Sequence, residues 1–154
     1  MSWETVAVVR RATQPYDGED LVPLVRAWFQ SVDWSDREAL AAIVAEDAEG
    51  RYLHPDIEWE GPAVTDGVVH GLDAVARYWA DWVPAWERYV YRVEEYRDLG
   101  DWVLTRAAVE AVGRGGLPVQ MRVFQIWQVS GGLVTVCRGF VSESEALEAV
   151  GLRE

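Results

Sequence analysis

Few side chains in this sequence could do chemistry, and their spacing limits what that chemistry is. In Met121-Arg122-Val123-Phe124-Gln125-Ile126-Trp127 the strand period of two puts Met121, Val123, Gln125 and Trp127 on one face and Arg122, Phe124 and Ile126 on the other. Gln125 can donate and accept a hydrogen bond, so it can orient a carbonyl or hydroxyl of a ligand, but an amide is no base. A buried amide satisfied by a side chain of a neighbouring strand is the structural alternative. His54 and His70 have no partner at metal-ligand spacing, and zinc or iron usually needs three convergent ligands, so no metal site is expected. Neither histidine has a Ser or Cys nearby, which leaves no nucleophilic triad. Cys137 lies inside an apolar run and reads as a small buried hydrophobe. Arg106 and Glu110 share a strand face and are expected to form a surface charge ladder.

Composition excludes several function classes. All 14 basic residues are Arg, against 26 acidic ones, for a net charge of −12. Nucleic acid is therefore not an expected partner, because phosphate binding needs a basic patch and this field repels polyanions. Without Lys there is no Schiff-base chemistry and no phosphate-loop lysine. No stretch reaches the roughly 20 apolar residues of a membrane span, and no signal-peptide core is visible, so the expected location is the cytoplasm. A length of 154 residues fits one domain, 1–154, with a core large enough to need neither disulfide nor metal. Nine Trp is the unusual count, because many of them fall at regular spacings.

Those spacings define the elements that must position the candidates. A first helix is expected at 3–14, and a second where Leu21, Leu24, Val25, Trp28, Phe29 and Val32 make an apolar stripe. Ser35-Asp36-Arg37-Glu38 is a capping box opening a third. Pro55-Asp56-Ile57-Glu58-Trp59-Glu60 alternates apolar and acidic residues and predicts a strand ended by Gly61-Pro62. Val75, Tyr78, Trp79, Trp82, Val83 and Trp86 predict a long helix over 72–86 lying across the sheet. The period then switches to two, predicting strands at 88–98, 101–113, 117–129 and 133–142 joined by short Gly-containing turns. Ser142-Glu143-Ser144-Glu145 opens a closing helix. The fold class is α+β with a mostly antiparallel sheet.

Several stretches carry a family resemblance by their order and spacing. They are Glu4 to Arg11, His54 to Trp59, His70 to Val75, Met121 to Trp127, and Glu145 to Gly151. Together the chain resembles SnoaL-like proteins of the nuclear-transport-factor-2-like superfamily, which includes ketosteroid isomerase. The resemblance implies a cone-like curved sheet wrapped around a cavity, capped by N-terminal helices and one long helix, usually in a homodimer packed through the sheet. It also locates the family's catalytic positions. The isomerase base corresponds to Gly61 here, and the oxyanion donors to Ala12 and Gln125, so that mechanism lacks its residues. The resemblance gives the superfamily's cyclases a strand aspartate and its epoxide hydrolases paired Asp and Arg around a water, and the late strands here offer Arg122 and Arg138 without the aspartate. Glu60 is then the remaining candidate base. By alternation Glu58 and Glu60 point away from Trp59, so Glu60 serves only if a bulge before Gly61 turns it inward.

The expected function is binding of a small apolar molecule in a cavity lined by Trp59, Trp79, Trp82, Val123, Gln125 and Trp127, without cofactor or metal. Isomerase, cyclase or hydrolase chemistry on an apolar or polycyclic compound, binding without turnover, and a protein-interaction module all remain open. A homodimer is expected because Phe124 and Ile126 would otherwise leave an apolar strip in water.

Overall fold

Alternating side chains and glycine turns organise the late half of the chain into one curved sheet. The computed structural model describes residues 2–13, 19–20, 53–61, 67–82 and 86–151. Helix α1 is Ser2–Thr13, β1 Glu19–Asp20, β2 Leu53–Glu60, β3 Val69–His70 and α2 Leu72–Trp82. Then follow β4 Trp86–Asp98, β5 Val103–Gly113, β6 Pro118–Ser130, β7 Leu133–Phe140 and α3 Glu143–Ala149. The helices expected at 21–32 and from Ser35 onward lie outside the described residues. Among the described residues the sheet has seven strands in the order β1-β4-β5-β6-β7-β2-β3. All neighbours are antiparallel except β2 and β7, which run parallel.

The meander follows the alternation closely. Ser130 pairs with Leu133 across Gly131 and Gly132, which sit at φ of 61° and 78°. A two-residue hairpin needs positive φ at both central positions, and glycine adopts it without steric cost. Gly71 matters for a different reason. At φ 90° its N–H donates to the Ile57 carbonyl at 2.7 Å and its carbonyl accepts from Val75, so it joins β2 to the first turn of α2.

One expected boundary is wrong. Trp86, counted into the helical stripe, opens β4, and α2 ends at Trp82. Pro84 lies between them, and a proline disfavours helical backbone at the residue before it and cannot donate to the helix ladder. Helix α2 packs mainly on β2 and β3, and α1 contacts β4, β5, β6 and β7, so two helices share the cover of this face.

The sheet has two differently covered faces. On the inner face Val9 and Ala12 of α1 and Val75 of α2 bury against Ile57, Val103, Trp127, Val134 and Cys137. On the outer face Leu104 and Ile126 are covered by Ala146 and Leu147 of α3, with Trp102, Phe124 and Phe140 packed around them. Ser142 caps α3, its hydroxyl accepting from the Glu145 N–H at 3.4 Å. Ile126 is fully buried. The apolar strip assigned from sequence to a dimer contact is thus covered, at its centre, by the chain's own last helix.

Beside α3 the outer face carries a continuous run of ion pairs. The register shifts between Val93 and Glu95, so both Glu94 and Glu95 reach arginines on that face. Arg122 grips Glu94 with two bonds of 2.7 and 3.3 Å, and Arg106 reaches Glu94 and Glu95 at 3.5 Å each. Arg97 then joins Glu95 at 3.2 Å to Glu143 of α3 at 3.0 Å. Arg106 therefore pairs across strands with Glu94 and Glu95 instead of laddering with Glu110. These groups are partly exposed, so each pair stabilises little, but Glu94 serves two arginines. Glu94→Gln is expected to cost about 0.5–1 kcal/mol in urea denaturation at low salt, with the difference from wild type shrinking in 1 M NaCl. A cost unchanged by salt would show that packing, not charge, is lost.

Candidate functional site

The inner face gathers the aromatic and uncharged polar side chains. Its register follows from the strand pairs Trp59 with Cys137, Trp127 with Cys137 and Val103, Gln125 with Thr105, and Tyr96 with Thr105. One residue from each of five strands thus points to the same side. Trp59 and Trp127 meet edge to face, ring centroids 6.0 Å apart. Trp127 is buried, whereas Trp59, Tyr89, Tyr91 and Tyr96 keep part of their surface open. Tyr96 also connects to α1, its hydroxyl 2.7 Å from Thr13 Oγ1 and its ring under the Arg10 guanidinium at 4.2 Å.

A chain of hydrogen bonds runs through this face. The Trp127 indole N–H donates to Thr105 Oγ1 at 2.8 Å, and the Thr105 hydroxyl donates to the Gln125 backbone carbonyl at 3.5 Å. The Tyr91 hydroxyl donates to Gln125 Oε1. Gln125 Nε2 in turn donates to Cys137 Sγ at 3.6 Å. Gln125 is only 6% exposed, and Thr105 and Cys137 are fully buried. Sequence reasoning found Gln125 and Trp127 but missed Tyr91, Thr105 and Cys137 as their partners. The signal available was the alternation of β4, which puts Tyr89 and Tyr91 on one face.

Electrostatics keep this face neutral. Burial pushes the Cys137 thiol well above its ordinary 9.0, a hydrogen bond from Gln125 opposing it. Burial likewise holds the Tyr91 phenol well above 10.0, reinforced by Cys137, Tyr96 and Tyr89 and opposed by the Thr105 hydroxyl. Tyr78 of α2 is raised too, by burial and then by Cys137. The side chains that pack together on this face are uncharged, while Asp98 stands opposite Val103 at the end of β4 and Arg10 of α1 lies over the Tyr96 ring.

The remaining candidates lie elsewhere. Glu60 pairs with Arg138 on the outer side, Arg138 Nε donating to Oε1 at 3.1 Å. The strand is regular from Glu58 to Glu60, so no bulge turns Glu60 toward Trp59. Glu58 sits opposite His70, whose Nδ1 is 3.7 Å from Oε1, both exposed. His54 Nδ1 accepts from the Asp56 N–H at 3.0 Å. Among the described residues no three His, Cys, Asp or Glu side chains converge as metal ligands, and no helix is long and apolar enough to cross a membrane. Gly61 and Ala12 are both buried, at the positions aligned with the isomerase base and one oxyanion donor. Val123 is buried beside Val109 and Ala111, with Met121 against them. Trp79 and Trp82 belong to α2, and their side chains lie outside what the structure describes.

Comparison with known proteins places this geometry. The family model described as SnoaL-like domain matches residues 25–137. Among solved structures, a candidate SnoaL-like polyketide cyclase from Jannaschia sp. CCS1 is 15% identical, with a TM-score of 0.61 over 100% of this chain and 98% of that one. TerC, crystallised with polyporic acid, is 16% identical with a TM-score of 0.57, over 75% of this chain and 95% of that one. A Catenulispora acidiphila protein of ketosteroid isomerase-like fold, in complex with trimethylamine, is 18% identical with a TM-score of 0.53, over 76% and 93%. No curated protein matches the chain. At these identities the solved structures speak for the fold alone.

Proposed function

Since the chain belongs to the SnoaL-like domain family of the nuclear-transport-factor-2-like superfamily, we propose that its inner face binds a flat, largely apolar small molecule. The residues proposed to surround it are Trp59, Trp79, Trp82, Val123, Gln125 and Trp127. The observation that carries this reading is the pairing of partly open aromatic rings with one buried uncharged amide on the same face of a curved sheet. Such a surface selects ligands by shape and burial, at about 25 cal/mol per Å² of apolar area removed from water, and uses its polar group for orientation. That TerC was crystallised with polyporic acid, and the Catenulispora protein with trimethylamine, supports small molecules as occupants of this fold.

Among the described residues, what surrounds the amide supports binding. An isomerase or cyclase moves a proton and needs a group that titrates near neutrality. Glu60 is engaged with Arg138 on the opposite side, and Tyr91 and Cys137 hold their protons. Titrating polycyclic ketones, terpenes and aromatic acids while following tryptophan emission is expected to give a saturable change for at least one class. Gln125→Leu should weaken ketones by about 1 kcal/mol, about fivefold in Kd, and leave hydrocarbons unchanged. An emission unmoved by every class would remove the inner face as a binding site.

A further inference from the structure

The hydrogen-bond chain on the inner face has a direction, and the direction limits the ligand. An indole N–H can only donate, so Thr105 Oγ1 receives from Trp127 and its own hydrogen points onward, toward the Gln125 carbonyl 3.5 Å away and the Tyr91 hydroxyl oxygen. Tyr91 gives its hydrogen to Gln125 Oε1, which orients the amide. The NH₂ end then faces Cys137 Sγ at 3.6 Å, and a thiol sulfur is a weak acceptor. At a side chain 94% removed from solvent, since it is 6% exposed, two N–H hydrogens are left with one poor partner between them. Every stronger acceptor along the chain is already in use. The chain therefore ends in donors.

Resting on the binding reading above, we infer that Tyr91 is a positioning residue which locks Gln125 as a hydrogen-bond donor, and that the site takes ligands carrying a neutral carbonyl oxygen in preference to ligands carrying a hydroxyl. A ketone or quinone oxygen supplies the acceptor that Gln125 Nε2 lacks and asks nothing in return. An alcohol brings a hydrogen of its own, and with Oε1 held by Tyr91 that hydrogen has no acceptor of comparable strength. A carboxylate would have to shed its hydration beside the uncharged Tyr91, Gln125 and Cys137, within a protein of net charge −12. Tyr91 acts through Gln125, so its removal should alter selectivity more than affinity for the carbon skeleton.

Fluorene, 9-fluorenone and 9-fluorenol share one tricyclic skeleton and differ in the group at a single carbon, and equilibrium dialysis gives their Kd values for the full chain. Wild type should prefer fluorenone to fluorenol by about fivefold or more, the value of one neutral hydrogen bond. In Tyr91→Phe the amide is free to turn its oxygen toward the ligand, so the ratio should fall to about one while fluorene affinity stays within about twofold. If Tyr91→Phe does not fold, Cys137→Ser gives a second measurement. A serine oxygen accepts well from Gln125 Nε2 and should lower the fluorenone preference without altering fluorene binding. Fluorene binding with no ketone preference in wild type, or a preference that survives both substitutions, would overturn the inference and leave the binding reading intact. Failure of all three compounds to bind the folded protein would overturn both.

Discussion

Ile126→Arg is expected to unfold this domain rather than to separate two copies of it. Ile126 has no exposed surface and lies with Leu104 beneath Ala146 and Leu147 of α3. An arginine there must either bury its guanidinium without a carboxylate partner or push α3 off the sheet. The paired carboxylates of this face, Glu60, Glu94, Glu95 and Glu143, already serve Arg138, Arg122, Arg106 and Arg97. The milder Ile126→Ala change should cost about 2–5 kcal/mol, the range for a large aliphatic side chain deleted from a packed core. Ile126→Arg adds about 3–5 kcal/mol for a buried charge without a partner, and a total of about 5–10 kcal/mol matches the roughly 5–15 kcal/mol by which a domain of ordinary stability is folded. Urea denaturation followed by circular dichroism measures the first, and loss of the cooperative transition reads the second. Sedimentation separates this from a dimer contact. A folded arginine variant at half the mass of the wild-type particle would show that Ile126 joins two copies, and the packing of α3 would need another account.

The Ile126 case shows what strand alternation can and cannot tell. Parity places Phe124 and Ile126 on the face opposite Gln125 and Trp127, and the register of β5 with β6 agrees. What covers that face depends on where a helix seven residues long lands after β7, and nothing in the period of two encodes that. The four late strands were legible because alternation and glycine turns act over a few residues, where sequence neighbours are spatial neighbours. The end of α2 was misread because Trp86 falls four residues after Trp82, a spacing that fits a helix as well as a chain restarted after Pro84.

The site follows the same division. Gln125 and Trp127 were visible as same-face residues of β6. Their partners Thr105, Tyr91 and Cys137 stand on β5, β4 and β7, and the contact between Tyr91 and Gln125 skips the intervening strand. Register fixes which residues of adjacent strands oppose each other, as Thr105 opposes Gln125, but curvature decides which side chains meet across a third strand. The pairing of Arg106 with Glu94 and Glu95, in place of Glu110, depended likewise on a bulge that the alternation of β4 does not announce.

The same buried chain predicts how stability responds to alkali. Cys137 in the folded protein holds its proton well above the ordinary 9.0, and Tyr91 holds its own well above 10.0, in both cases first because burial disfavours the charged form. Below pH 9 both groups are protonated in the folded and the unfolded chain, so neither contributes to pH dependence. Above pH 9 the unfolded chain releases the thiol proton while the folded one retains it. The unfolded state then binds fewer protons, and stability falls as pH rises, by up to about 1.4 kcal/mol per pH unit for one group. Above pH 10 Tyr91 adds to the slope, because the unfolded chain releases the phenol proton that the folded one retains. The loss continues until each group's folded value is reached. Urea midpoints measured from pH 8 to 10.5 should therefore be level at first and then fall, with the onset near pH 9. Cys137→Ala should be less stable at pH 8, from the lost sulfur and the unpaired amide, yet hold that stability level up to about pH 10, where Tyr91 begins to act. A wild-type profile that stays flat to pH 10.5, or a Cys137→Ala profile that falls from pH 9 as steeply as wild type, would mean that the thiol reaches solvent, and the neutral inner face proposed for ligand recognition would lose its buried end.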